Sequence, residues 1–195
     1  MSEPGDLPPA VAARLGRMPA WQSKLVMLGF AAVRAVHLLR YRGKLVCSGP
    51  VYIRGRLAIT QGTIVRLGPH VRVRGHVRFS GGGTVCVGAN TLLNGCWIVS
   101  CQSVSIGDDC LISDCGITDS DYHNLEPELR HDPPRSAAVR PVRLERNVWV
   151  GAQAIVLKGA HIGSDSVVGS GAVVRGDVPS RVVVSGNPGK VIKHL

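Results

Sequence analysis

One polar segment, DSDYHNLEPELRHDPPRSAAVR at residues 119–140, holds two histidines, His123 and His131, with Asp119 and Asp121 just ahead of the first. An imidazole titrates close to neutral pH. Its neutral form can therefore draw a proton from a hydroxyl as that oxygen attacks an electrophile, which is worth roughly 10²–10⁴-fold in rate. Taken alone, a histidine in such a segment reads as a surface group; its setting in the sequence is what gives His123 weight. His131 is the reserve candidate. His37, His70, His76, His161 and His194 read as structural or surface groups.

The setting is periodic. Ile53, Ile59, Val65, Val71 and Val77 are six apart, and Val87, Leu93 and Val99 resume the rhythm after a slip. Ile106 and Ile112 follow, and then Leu144, Val150, Val156, Ile162, Val168 and Val174. Neither an amphipathic helix nor an alternating strand has a period of six. A hexapeptide β-helix does: each hexad is a short strand and a turn, and three hexads close a triangular coil that buries its face only by stacking on neighbours. Ala154, Ala160, Ser166 and Ala172, four residues after an aliphatic position, are expected to share the interior. Gly151, Gly163 and Gly169 are expected at turns that need a permissive backbone. Between Thr118 and Pro141 the period stops. A long insertion in a stiff repeat is often functional, although solenoids also tolerate insertions cheaply.

The rest of the composition agrees with this reading. Aromatic residues are 4% of the chain against 45% apolar, so the core is aliphatic, and the 24 glycines and many β-branched residues suit short strands and tight turns. The net charge of +10 admits nucleic acid, an anionic membrane or a phosphorylated ligand. The arginines read as scattered, without stacking aromatics between them, which points away from nucleic acid. Six cysteines without a CxxC pair read as reduced, mostly buried thiols of a cytoplasmic protein. Residues 1–19 carry four prolines and no apolar signal-peptide core, and are expected as a disordered leader. Residues 20–42, within an N-terminal segment 20–44, read as a basic amphipathic helix with Trp21, Leu25, Leu28, Ala32, Val36 and Leu39 on one side and Lys24, Arg34, His37, Arg40 and Arg42 on the other. Its uncharged run, Leu25 to Val33, is short for a bilayer span. The helix either packs on its own domain or a neighbouring subunit, or lies peripherally on the inner membrane face.

The stretch Ile106 to Leu195 resembles the hexapeptide-repeat O-acetyltransferases, the group of galactoside, maltose, chloramphenicol-type and exopolysaccharide acetyltransferases. The motifs that carry the resemblance are IGDDCLIS at 106–113, DSDYHN at 119–124, RNVWVGAQAIVLKGAHIGSDSVVGSGAVVRGDVP at 146–179 and GNPGKVIKHL at 186–195. The resemblance implies an all-β fold, a left-handed parallel β-helix over 45–195 with an N-terminal α-helix and a protruding catalytic loop at 119–141. It implies a homotrimer with active sites between subunits, acetyl-CoA as acyl donor, and a saccharide or glycoconjugate hydroxyl as acceptor. His123 matches the family's general base. Trp149, Ala152 and Ser170 match positions along the pantetheine arm, and Lys190 and Lys193 match basic residues near the nucleotide phosphates.

The family's simple-sugar enzymes carry an acidic acceptor contact in the coil before the IGD motif, where this chain reads NGCWIVSCQS at 94–103. Asn94 is then the candidate contact there, and Asp119 and Asp121 are candidates to touch the sugar or orient the imidazole. Three other functions compete. One is transfer to the nitrogen of an amino sugar. The second is a zinc lyase of carbonic-anhydrase type, which needs three converging histidines that the spacing does not offer; no metal is expected. The third is a non-catalytic scaffold.

Overall fold

The computed structural model describes residues 9–133 and 138–195; residues 1–8 of the expected leader and 134–137 of the interruption lie outside the described residues. Three sheets wind about a common axis. The first holds β1 (Leu45–Cys47), β4 (Ile64–Leu67), β7 (Thr84–Val87), β10 (Ser103–Ile106), β13 (Val142–Leu144), β16 (His161–Ile162) and β19 (Asp177–Val178). The second holds β2 (Tyr52–Ile53), β5 (Arg72–Arg74), β8 (Leu92–Asn94), β11 (Leu111–Ser113), β14 (Trp149–Val150), β17 (Val167–Val168), β20 (Val182–Ser185) and β21 (Lys190–His194). The third holds β3 (Arg56–Ile59), β6 (His76–Ser80), β9 (Trp97–Val99), β12 (Gly116–Thr118), β15 (Ile155–Val156) and β18 (Val173–Val174). The chain visits the sheets in turn, and every pairing is parallel except that of β21, which folds back antiparallel on β20. The result is a left-handed parallel β-helix of about seven turns.

All sixteen aliphatic positions of the six-residue rhythm are buried, as are their companions Ala154, Ala160, Ser166 and Ala172. The coils themselves are not uniform hexads. Leu45 is level with Val65 and Val65 with Val85, twenty residues per turn, while Leu144 is level with Ile162 after eighteen and Ile162 with Val178 after sixteen. The early strands are longer and point two residues inward, such as Val65 and Leu67, where the late strands point one. A count of six drifts within coils of twenty, and the slip after Val77 falls where that drift leaves the inward positions; the prism narrows toward its C-terminal end.

The glycines also differ from expectation. Gly151, Gly163 and Gly169 do not have positive φ. They are needed for space: a Cβ on Gly163 would stand 2.5 Å from the amide nitrogen of Ser180 in the next coil. The left-handed turn positions are carried instead by residues such as Asn90, Asp109, Asn147 and Asp165, one per coil at the corner between the first and second sheets. Asn and Asp tolerate that conformation, and here they also bond along the prism, Asn147 donating to Asp165 at 2.8 Å.

Two helices precede the prism. Residues 9–15 of the expected leader form α1 (Pro9–Leu15), and α2 (Ala20–Arg40) lies against β2. The side of α2 that packs is not the side the sequence favours. Phe30 meets the Tyr52 ring edge-on at 5.3 Å, Arg34 donates to the Gly49 carbonyl at 2.8 Å, and Leu38 and Tyr41 reach the core. The stripe of Trp21, Leu25, Leu28, Val36 and Leu39 faces outward, each more than half exposed.

Folding also reveals a charge asymmetry that the scattered arginines conceal. Residues 7–107 contain 13 Lys and Arg and no Asp or Glu, whereas residues 108–195 contain 10 basic and 11 acidic residues. Both helices and the first three coils therefore form a strongly basic half, joined to a nearly neutral one.

Candidate active site

The chain leaves the prism at the end of β12 and rejoins it at β13, at the corner between the third and first sheets. The excursion has a built stem. Ser120 bridges Val139, the Asp121 amide donates to the Ala138 carbonyl at 3.0 Å, and the Arg140 amide donates to the Asp119 carbonyl at 2.9 Å. Asp121 forms an ion pair with Lys158 of the coil above, tying the stem to the prism. Beyond the stem, Tyr122 takes a left-handed conformation, with φ of 66°. The buried Asn124 side chain donates to the carbonyls of Leu129 and Pro133 and gathers the loop around itself. His123, between these two anchored neighbours, is exposed, and its imidazole has no hydrogen-bond partner among the described residues. A neutral imidazole in that condition is open to a hydroxyl brought to it.

Asp119 has a different role from the one expected. It is fully buried. Its carboxylate accepts hydrogen bonds from the amides of Cys101 at 2.7 Å and Gln102 at 2.9 Å and from the Ser100 hydroxyl at 3.2 Å. It closes the corner of the coil below. Asp121 is likewise turned to Lys158 rather than to the imidazole. Asn94 donates to the Asp114 carboxylate at 3.0 Å, at the corner between the second and third sheets. Within one protomer it stands across the width of the third sheet from the loop.

The residues matched to the acyl donor gather on the second sheet and that same corner. Trp149, half exposed, is level with Val167, Val167 with Val183 and Val183 with Lys193, forming one column. Ala152 and Ser170 are exposed at the corner one coil apart, and the Gly171 amide donates to the Ala152 carbonyl at 2.9 Å. The amides of Ala152 and Ser170 themselves have no acceptor among the described residues. Two unused donors one coil apart, about 4.8 Å by strand spacing, fit the amide-bearing arm of coenzyme A. Lys190 and Lys193 are exposed on β21 at the end of this run. In one protomer this strip and His123 lie on opposite edges of the third sheet.

The sequence reading missed a trough beside the loop. On the outer face of the third sheet, a groove of about 450 Å³ is lined by Ala58, Thr60, Arg78, Ser80, Trp97 and Tyr122, among others. Tyr122 adjoins His123, and burial pushes its phenol up. The Trp97 indole lies across Gly116, where a Cβ would stand 2.1 Å from its ring. The outward strand register of Trp97, with a glycine nineteen residues on, was the available signal. Three of the six thiols are buried, and burial pushes Cys110 up to about 11 and Cys115 up to about 12 and raises Cys96 further, whereas Cys86 and Cys101 are exposed. No three metal-binding side chains gather among the described residues.

Comparison with known proteins agrees with this geometry. Residues 141–176 match the family model for bacterial transferase hexapeptide repeats. The chain is 30% identical to galactoside O-acetyltransferase of Escherichia coli over 162 residues, 80% of this chain and 79% of that one. The chain belongs to the hexapeptide-repeat acetyltransferases. It is also 35% identical to a putative lipopolysaccharide biosynthesis O-acetyl transferase, WbbJ, of the same organism, over 83% of this chain and 85% of the other. Among solved structures it is similar to the polysialic acid-specific acetyltransferase NeuO, with a TM-score of 0.53 and 31% identity over 77% of this chain and 75% of that one. Family membership makes this an acyl-CoA-dependent acyltransferase.

Proposed function

We propose that the protein transfers an acetyl group from acetyl-CoA to a hydroxyl of a saccharide or glycoconjugate, with His123 as general base. The observation that carries this reading is the exposed imidazole of His123, without a hydrogen-bond partner among the described residues, on a loop whose stem is pinned by the Asp121–Lys158 pair, beside a trough that can hold an acceptor. Neutral His123 accepts the hydroxyl proton as the oxygen attacks the thioester carbonyl. The tetrahedral oxyanion collapses, the C–S bond breaks, and the thiolate leaves with the proton returned by the imidazolium. No covalent enzyme intermediate is needed. The galactoside, lipopolysaccharide and polysialic acid specificities of its relatives support a saccharide acceptor.

The donor strip and His123 stand at opposite edges of the third sheet, so a complete site joins the strip of one protomer to the loop of the next, and a homotrimer closes three such sites. The test is thiol release from acetyl-CoA with a panel of sugars and amino sugars. His123→Ala is expected to lower kcat by roughly 10²–10⁴-fold with an unchanged melting temperature. Wild-type turnover in that variant would remove His123 as base, and products acetylated only on amines would replace O-transfer by N-transfer.

A further inference from the structure

The transfer chemistry uses the C-terminal half of the prism and the outer face of the third sheet, and leaves α2 and the second-sheet face beneath it without a role. That region carries two features which coincide. The first is the outward stripe of α2: Trp21, Leu25, Leu28, Val36 and Leu39 are 63, 58, 65, 64 and 76% exposed. The second is charge. Exposed Arg17 and Lys24 flank the start of the stripe, exposed Arg40, Arg42 and Lys44 flank its end, and Arg54, Arg72 and Arg74 line the cleft beneath the helix with Val26 and Phe30. No acidic residue occurs anywhere between residues 7 and 107. None of the three ion pairs among the described residues involves any of these cations.

We infer that this end of the protein docks on an anionic lipid surface, with α2 lying in the plane of the interface. Aliphatic side chains and a tryptophan on one face, bordered by cations, are what a helix needs to sink into the headgroup boundary while its charges meet anionic lipid. An apolar stripe alone would fit several partners. The strongly basic surround selects a negatively charged one, and five exposed large apolar side chains in line select one with an apolar interior. By length and composition α2 is also long and apolar enough to cross a bilayer. The packed side argues for lying on the surface: a crossing helix would have to strip Phe30 from Tyr52 and free the Arg34 guanidinium from Gly49. The inference is independent of the acyl-transfer reading, because it uses none of the same residues.

The experiment is co-sedimentation of the full chain with phosphatidylglycerol-containing vesicles and with pure phosphatidylcholine vesicles, at low and high salt. Binding to the anionic vesicles is expected to exceed that to neutral ones by about tenfold or more and to weaken in high salt. Leu25→Glu/Leu28→Glu is expected to lose about tenfold or more of that binding while keeping its mass by light scattering and its thiol release with a soluble acceptor. Three results would overturn the proposal: equal binding to both vesicle types, wild-type binding by the double variant, or a change of oligomeric mass in that variant, which would make the stripe a subunit contact. Loss of thiol release with vesicle binding intact would speak only against the catalytic reading.

Discussion

Asp119→Ala separates a structural carboxylate from an acceptor contact. In the wild type, Asp119 is fully buried and holds the amides of Cys101 and Gln102 and the hydroxyl of Ser100. Removing it leaves two amide donors without an acceptor. A buried donor left unsatisfied costs about 1–3 kcal/mol. Cys101 and Gln102 are themselves exposed, so water reaches part of the turn, and the lower end applies to each. Ser100 keeps its bond to the Thr84 carbonyl at 3.0 Å and adds little. The expected loss is about 2–3 kcal/mol, or about 4–12 °C in melting temperature for a chain of this length. The measurement is a thermal scan at fixed protomer concentration and scan rate, because assembly and irreversibility both move the midpoint. Steady-state kinetics below the variant's transition supply the second reading, and the acceptor KM is expected to stay at its wild-type value. A wild-type melting temperature together with a raised acceptor KM would refute the structural assignment and return Asp119 to the substrate.

Gly116→Ala places a Cβ where the Trp97 ring now lies, 2.1 Å from its nearest atom, and the indole must leave the trough wall. The expected result is a changed Trp97 emission in a Trp21→Phe/Trp149→Phe background and a raised acceptor KM at constant acetyl-CoA KM; unchanged emission with unchanged kinetics would detach the trough from acceptor binding. Glu145 is held at about 2, below its ordinary 4.5, by the Ser164 hydroxyl, by His161 and by the Ser164 amide. A depressed carboxylate pKa adds stability that is present above the unfolded value and is lost as pH falls from about 4.5 toward 2. The gap in melting temperature between wild type and Glu145→Gln should therefore be constant near neutrality and close across that window, and a gap independent of pH would contradict it.

The fold was legible because burial in a β-helix is decided by position within the coil. An aliphatic residue at each inward position writes the period directly into the sequence, and fifteen of the sixteen counted positions from Ile53 to Val174 join the core; in β9 the inward residue is Ile98, and Val99 is buried on the outer face. The coil length was not legible in the first half. There each longer strand turns two residues inward, such as Val65 with Leu67 or Val85 with Val87, and a count of six can step from one inward residue to a different one in the next coil. Every position counted is then buried while the register drifts: Ile53 is level with Val73, not with Val71. The helix misled for a related reason. In α2, periodicity marks an apolar face, but Phe30, Arg34 and Leu38 show that a narrower, mixed face is the one the prism accepts.

The site divides along the same line. His123 could be located because the loop breaks a repeat, and a break is visible in one dimension. The partners of Asp119 could not, because Cys101 and Gln102 lie one coil below it and nothing in the residue type distinguishes a carboxylate that closes a corner from one that waits for a sugar. The trough hides in the same way, since Ala58, Arg78, Trp97 and Tyr122 come from four passes of the chain. Coil stacking makes neighbours of residues nineteen or twenty apart, so the proposed base is a local feature of the sequence, whereas the trough beside it is a property of the stack. It follows that changes of coil length in the N-terminal half, which shift Arg78 against Trp97, would retune acceptor choice without touching His123 or the amides of Ala152 and Ser170.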